Sequence, residues 1–108
     1  MIEKEDTMTG PIYKMFYARM KEPWFQLTKE EQDALFARIN EEMKSVGGKS
    51  MLICDSTWSS EKWWFWGVEE YPTMEAVQDY ARRLLEIDWL RYCDSETLLG
   101  TQMQPDAA

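Results

Sequence analysis

An α+β fold with the element order β-α-β-β-α-β is what this chain of 108 residues predicts, and three observations carry the prediction. Two stretches, 28–46 and 72–86, repeat apolar residues at the three-to-four spacing of a half-buried helix. Segments at 13–20, 49–57 and 62–71 are rich in the aromatic and branched residues of strands, and a fourth strand is expected near 97–101. The length suits one domain with a modest core, so these elements are expected to share a single unit over residues 12–101, between a flexible arm (1–11) and a short tail (102–108).

The elements follow in order. Residues 1–11 are polar, contain Gly10 and Pro11, and have no periodicity. In YKMFYARM, an extended chain places Tyr13, Met15, Tyr17 and Arg19 on one side and Phe16, Ala18 and Met20 on the other, before Lys21, Glu22 and Pro23 end the strand. A short loop, KEPWFQL, carries Trp24 and Phe25, both expected to lie back on the core. Thr28 and Glu31 then form a T-x-x-E capping box, and Glu30, Glu31 and Asp33 suit the positive end of the helix dipole. Leu35, Phe36, Ile39, Met43 and Val46 supply the buried stripe, and Gly47 and Gly48 stop the helix. KSMLICDST is the second strand, and the SSE triplet before Lys62 reads as a hairpin turn into EKWWFWGVEE. Regular alternation in that third strand puts Trp64 and Trp66 on one face and Trp63 and Phe65 on the other, while Gly67 marks a bulge or a close backbone approach. Pro72 and Thr73 start the second helix, whose buried residues are Met74, Val77, Tyr80, Ala81, Leu84 and Leu85. A short helical turn around Trp89 leads to the last strand.

Composition excludes several classes of function. With 20 acidic and 12 basic residues, a net charge of −8 and no basic stripe, the chain is not expected to bind nucleic acid or an anionic membrane. The N-terminal segment has no apolar core of a secretory signal, and no apolar run is long enough to span a bilayer, so a cytoplasmic protein is expected. Cys54 and Cys93 are not in a CxxC spacing and read as reduced thiols. There is no histidine, which removes the commonest metal ligand and the usual near-neutral acid or base, and neither a metal nor another cofactor is expected.

The order β-α-β-β-α-β is the split βαβ arrangement of ferredoxin-like domains, a four-stranded antiparallel sheet with both helices on one face. Its other face carries aromatics and needs a cover. With this order, the WFWGVEEYPTMEAVQDY stretch and the aromatic-rich last segment, the chain resembles the dimeric α/β-barrel superfamily over roughly residues 12–101. That resemblance implies a homodimer packed sheet against sheet. Superfamily members include cofactor-free monooxygenases, haem-binding enzymes, lactone isomerases and polyketide cyclases. The absence of histidine speaks against the histidine-dependent haem branches and points to the cofactor-free or uncharacterised ones.

Candidate chemistry centres on the first strand. Arg19 beside Tyr17 would polarise an oxyanion such as an enolate while Tyr17 moves a proton, with Arg19 pairing to a surface acid as the alternative. Asp55, late in an apolar strand, is a candidate general base if buried, and an exposed turn residue otherwise. Tyr13, Met15, Trp58, Trp64, Trp66, Trp89 and Tyr92 would line a cavity for a small hydrophobic or aromatic metabolite, or would fill the core and the dimer interface. Cys54 reads as a small core residue. Asp94, Ser95 and Glu96, and the acids Glu69 and Glu70, read as solvated. The function expected is therefore that of a cofactor-independent monooxygenase or isomerase, with a non-catalytic ligand-binding or assembly domain as the alternative.

Overall fold

A computed structural model describes residues 11–104. Strand β1 spans Ile12–Met20, helix α1 Glu22–Phe25, α2 Lys29–Ser45, β2 Lys49–Asp55, β3 Phe65–Tyr71 and α3 Met74–Glu86; a 3-10 turn at Trp89–Arg91 precedes β4, Cys93–Gly100. The strands lie in the order β2-β3-β1-β4, each neighbouring pair antiparallel, as the ferredoxin-like arrangement requires. Apart from Pro11, the expected N-terminal arm lies outside the described residues, as does the tail from residue 105.

The ends of α2 are set by local chemistry. Glu31 N donates to Thr28 Oγ1 at 3.1 Å and Thr28 N donates to Glu31 Oε1 at 2.8 Å, so the capping box closes in both directions. At the other end Gly47 adopts φ +86°, and the N–H groups of Gly47 and Gly48 donate to the carbonyls of Lys44 and Met43, both at 2.9 Å. This is a Schellman stop, and its left-handed residue favours glycine. Helix α3 begins where the Thr73 hydroxyl accepts from Ala76 N at 3.1 Å.

The core lies between the helices and one face of the sheet. Ile12 and Tyr71, opposite each other on β1 and β3, meet Met43 of α2 and Ala76, Val77 and Tyr80 of α3. Arg83 of α3 donates to Glu42 of α2 at 2.7 Å and ties the two helices together. A second cluster forms around buried Trp24, whose ring lies 4.9 Å from Phe36, 6.0 Å from Trp89 and 6.2 Å from Tyr92. It clamps α1 and α2 to the turn before β4.

Several expectations are corrected. Residues 22–25 form a helical turn, not a loop, and only Trp24 returns to the core; Phe25 stays exposed. The link between β2 and β3 runs over residues 56–64 rather than a tight turn, and β3 starts at Phe65. Strand β4 begins at Cys93, well before the expected start at Thr97, because its edge pairing along β1 overrides the poor strand preference of Asp94, Ser95 and Glu96.

The alternation expected through the tryptophans also fails. Trp63 stacks on Tyr17, on the face away from the helices, and Trp66 lies opposite Tyr17 on that same face. Trp64 packs on Phe25 and Phe65 on Phe16, both on the helix side. The period breaks where Ser56 takes over the backbone: its N–H donates to Trp64 O and its hydroxyl to Trp63 O. Two consecutive side chains, Trp64 and Phe65, thus share one face, as at a β-bulge.

Candidate functional site

The sheet divides the predicted site residues into two groups. On the face without helices, Tyr13, Met15, Tyr17 and Arg19 do lie side by side, with Trp66, Val68, Leu52 and Leu98 on the neighbouring strands. Trp63 covers Tyr17, ring centroids 6.1 Å apart and planes 28° from parallel. The Arg19 guanidinium lies 5.9 Å from the centre of the Trp63 ring, and its Nε reaches Asp94 Oδ2 across the strand pair at 3.3 Å. Arg19 therefore has both an acid and an aromatic partner within the chain, the pairing the sequence offered as the alternative. Tyr17 and Arg19 do not line the helix-side cleft between α3, the 3-10 turn and strands β1 and β4.

Asp55 does not belong to this group. It pairs with Phe65, pointing to the helix side, and is exposed. Its Oδ1 accepts from Thr57 N at 2.9 Å and from the Thr57 hydroxyl at 2.7 Å, and these bonds hold the carboxyl below the usual carboxylate range. That is the exposed turn residue, with the opposite pKa direction from a buried general base. Trp58 stands in the connection after β2, 83% exposed. Trp64, Trp89 and Tyr92 lie on the helix side and cannot share a cavity with Tyr17.

The helix side contains a cleft of about 400 Å³ between α3, the 3-10 turn and strands β1 and β4. Phe16 and Ala18 form its floor with Cys93, Ser95 and Thr97, and Leu84, Leu85, Trp89 and Leu90 form its roof. Burial pushes the Cys93 thiol up to about 11, with the nearby Asp94 charge adding to it, so this thiol is a weak nucleophile near neutral pH. Lys14 closes one end. Its side chain is 14% exposed, its Nζ stands 3.7 Å from Glu69 Oε1 and 5.0 Å from the centre of the Tyr80 ring.

Glu69, expected to be solvated, is buried, because Tyr71 donates to its Oε1 at 2.6 Å and Lys14 compensates its charge. Burial, followed by the charge of Glu69, raises the phenol pKa values of Tyr71 and Tyr80 well above the ordinary value, so both remain neutral. Sequence reasoning missed this group. The signal available was alternation: Lys14 and Glu69 share the face of Phe16 and Tyr71.

Strand order and connections define an α+β protein of the ferredoxin-like kind, a four-stranded antiparallel sheet with its helices on one face. Solved structures of chlorite dismutase variants from Candidatus Nitrospira defluvii superpose with TM-scores of 0.68 and 0.69 at 16% identity, over 95% of this chain and 45% of theirs. The chain thus spans less than half the length of those proteins. A protein of unknown function from Rhodopseudomonas palustris superposes with a TM-score of 0.64 at 18% identity, over 94% of this chain and 89% of that one. At such identities the likeness is one of fold. No protein-family model and no curated protein sequence matches. Among the described residues no helix is long and apolar enough to cross a membrane.

Proposed function

We propose that this chain is a cytoplasmic assembly domain that pairs with a second copy of itself, sheet against sheet, its strand-face aromatics forming the dimer core. The single observation that carries this reading is the face itself. Tyr17, Trp63, Trp66, Met15, Leu52 and Leu98 lie together on the side of the sheet that no helix covers, with Leu52 49% and Leu98 66% exposed. Four strands about 4.8 Å apart and roughly 23 Å long present a projected area of about 440 Å², and side-chain relief brings the accessible area towards the roughly 800 Å² per partner of a standard interface. The apolar side chains occupy the middle of this face, and charged ones, Arg19, Asp94, Glu96, Glu70 and Lys49, stand around them, the layout of an interface with an apolar centre and a polar rim.

The competing reading is a cofactor-independent monooxygenase or isomerase acting through Arg19 and Tyr17. It requires an arginine available to an oxyanion, whereas this guanidinium is engaged by Asp94 and Trp63. Assembly uses the same stack without that requirement. The chemistry in the chlorite dismutase name is not carried over, since the likeness supports fold alone.

Mass in solution tests the proposal. The native chain is expected to sediment as a dimer, and Leu98→Lys, which adds a charge at an already exposed position, is expected to yield monomer with unchanged circular dichroism. A native chain that stays monomeric at high micromolar concentration would remove the proposal.

A further inference from the structure

We infer that the cleft under α3 is a binding site for an elongated, mostly apolar molecule ending in a carboxylate, with Lys14 receiving the carboxylate. Lys14 is the one charged side chain among the cleft's lining residues, and it sits at an end. In front of it the floor runs through Phe16 and Ala18 towards Cys93, opposite the roof of Leu84, Leu85 and Trp89. From Lys14 to Ala18 is four strand residues, roughly 13 Å at 3.3 Å each, the length of a medium acyl chain or two to three fused rings.

The polar end is arranged to take an anion. Glu69 accepts the short hydrogen bond from Tyr71, while the 3.7 Å separation from Lys14 allows charge compensation but exceeds hydrogen-bond length. Among the described residues no acceptor lies within hydrogen-bond distance of the ammonium. Lys14 lines the cleft with its side chain only 14% exposed, and a ligand carboxylate there would share the ammonium with Glu69 and gain a charge-assisted bond. An apolar tail occupies the rest of the cleft, whose volume falls within the usual range for small-molecule sites. Lys14 and Tyr17 point to opposite faces of β1, so this site and the dimer proposed above succeed or fail separately.

Isothermal titration of the full chain with decanoate and with decanol, a neutral molecule of matched length, tests the inference. Decanoate is expected to bind about tenfold or more tightly than decanol, the increment of one charge-assisted bond. Lys14→Gln should erase that preference while leaving decanol binding in place. Leu84→Trp, which fills the cleft from its roof, should remove both ligands with the helical circular dichroism retained. Equal affinity of the native protein for the two ligands would overturn the carboxylate assignment, and so would a preference that survives in Lys14→Gln. Absence of binding by either ligand, or full binding by a folded Leu84→Trp chain, would overturn the site itself. The native comparison stands even if Lys14→Gln does not fold.

Discussion

Tyr71 donates its hydroxyl proton to Glu69 Oε1 at 2.6 Å from two residues further along the same strand, and both side chains are buried against α3. This bond is what makes a carboxylate side chain tolerable at this depth. Tyr71→Phe keeps the ring, which lies 5.8 Å from that of Tyr80, and removes only the donor. The expected cost is about 1–3 kcal/mol, the penalty of an unsatisfied buried acceptor. Urea unfolding checks it. A midpoint unchanged from the native chain would mean that Glu69 reaches water without this hydroxyl.

Alkaline stability follows from the same cluster. Burial raises the Tyr71 and Tyr80 phenols above their ordinary value of 10.0 and lifts Cys93 from 9.0 to about 11. In each case the unfolded chain releases a proton that the native state keeps. Their contribution is therefore fully present below about pH 9 and declines as the pH rises, through the thiol first and the two phenols from about pH 10. Tyr80→Phe removes one of these groups. Between pH 10 and 11 the fall in unfolding free energy should become shallower by roughly 1 kcal/mol per pH unit, because the unfolded phenol goes from half to mostly ionised over that interval. An unaltered slope would place the Tyr80 hydroxyl in solvent.

How far the sequence disclosed this molecule depends on whether the deciding interaction was local. Thr28 and Glu31 are three residues apart, and the helix they start was readable with its stop at Gly47. The Tyr13, Met15, Tyr17 and Arg19 face was readable as well, since β1 keeps its period from end to end. The faces of Trp63 and Trp64 were not, because the break in alternation is imposed by hydrogen bonds from Ser56, on the previous strand's exit. Lys14 and Glu69 escaped for a related reason. Each alone is a residue type that belongs in water, and only the pairing of β1 with β3, at a separation of 55 positions along the chain, gives it a partner.

The capping box of α2 provides a local test. Thr28→Ala removes the acceptor for Glu31 N, and Glu31 loses its reciprocal orientation. A loss of about 1 kcal/mol is expected, or roughly 4–8 °C in Tm for a domain of this size. Differential scanning calorimetry reads it directly. Because α2 is joined to α3 through the Glu42–Arg83 pair, the loss should appear in the single global transition rather than as early fraying of one helix.

Gly67 joins the cleft floor to the strand pairing and gives the most specific packing test. A Cβ at this position would lie 2.8 Å from the Phe16 ring and 2.9 Å from the backbone oxygen of Leu52. The glycine thus fulfils the expected close approach, and the shift in strand register falls on β2, between Ser50 and Leu52. Gly67→Ala forces the Phe16 ring towards the cleft and strains the β2–β3 pair, at an expected cost of about 1–3 kcal/mol. Phe16→Leu, combined with Gly67→Ala, should recover part of that loss, since it relieves the ring contact and leaves the contact with the Leu52 carbonyl. In a double-mutant cycle the two changes are therefore expected to couple by more than the about 0.5 kcal/mol typical of independent sites. Strict additivity would show that the backbone contact alone excludes a side chain at position 67.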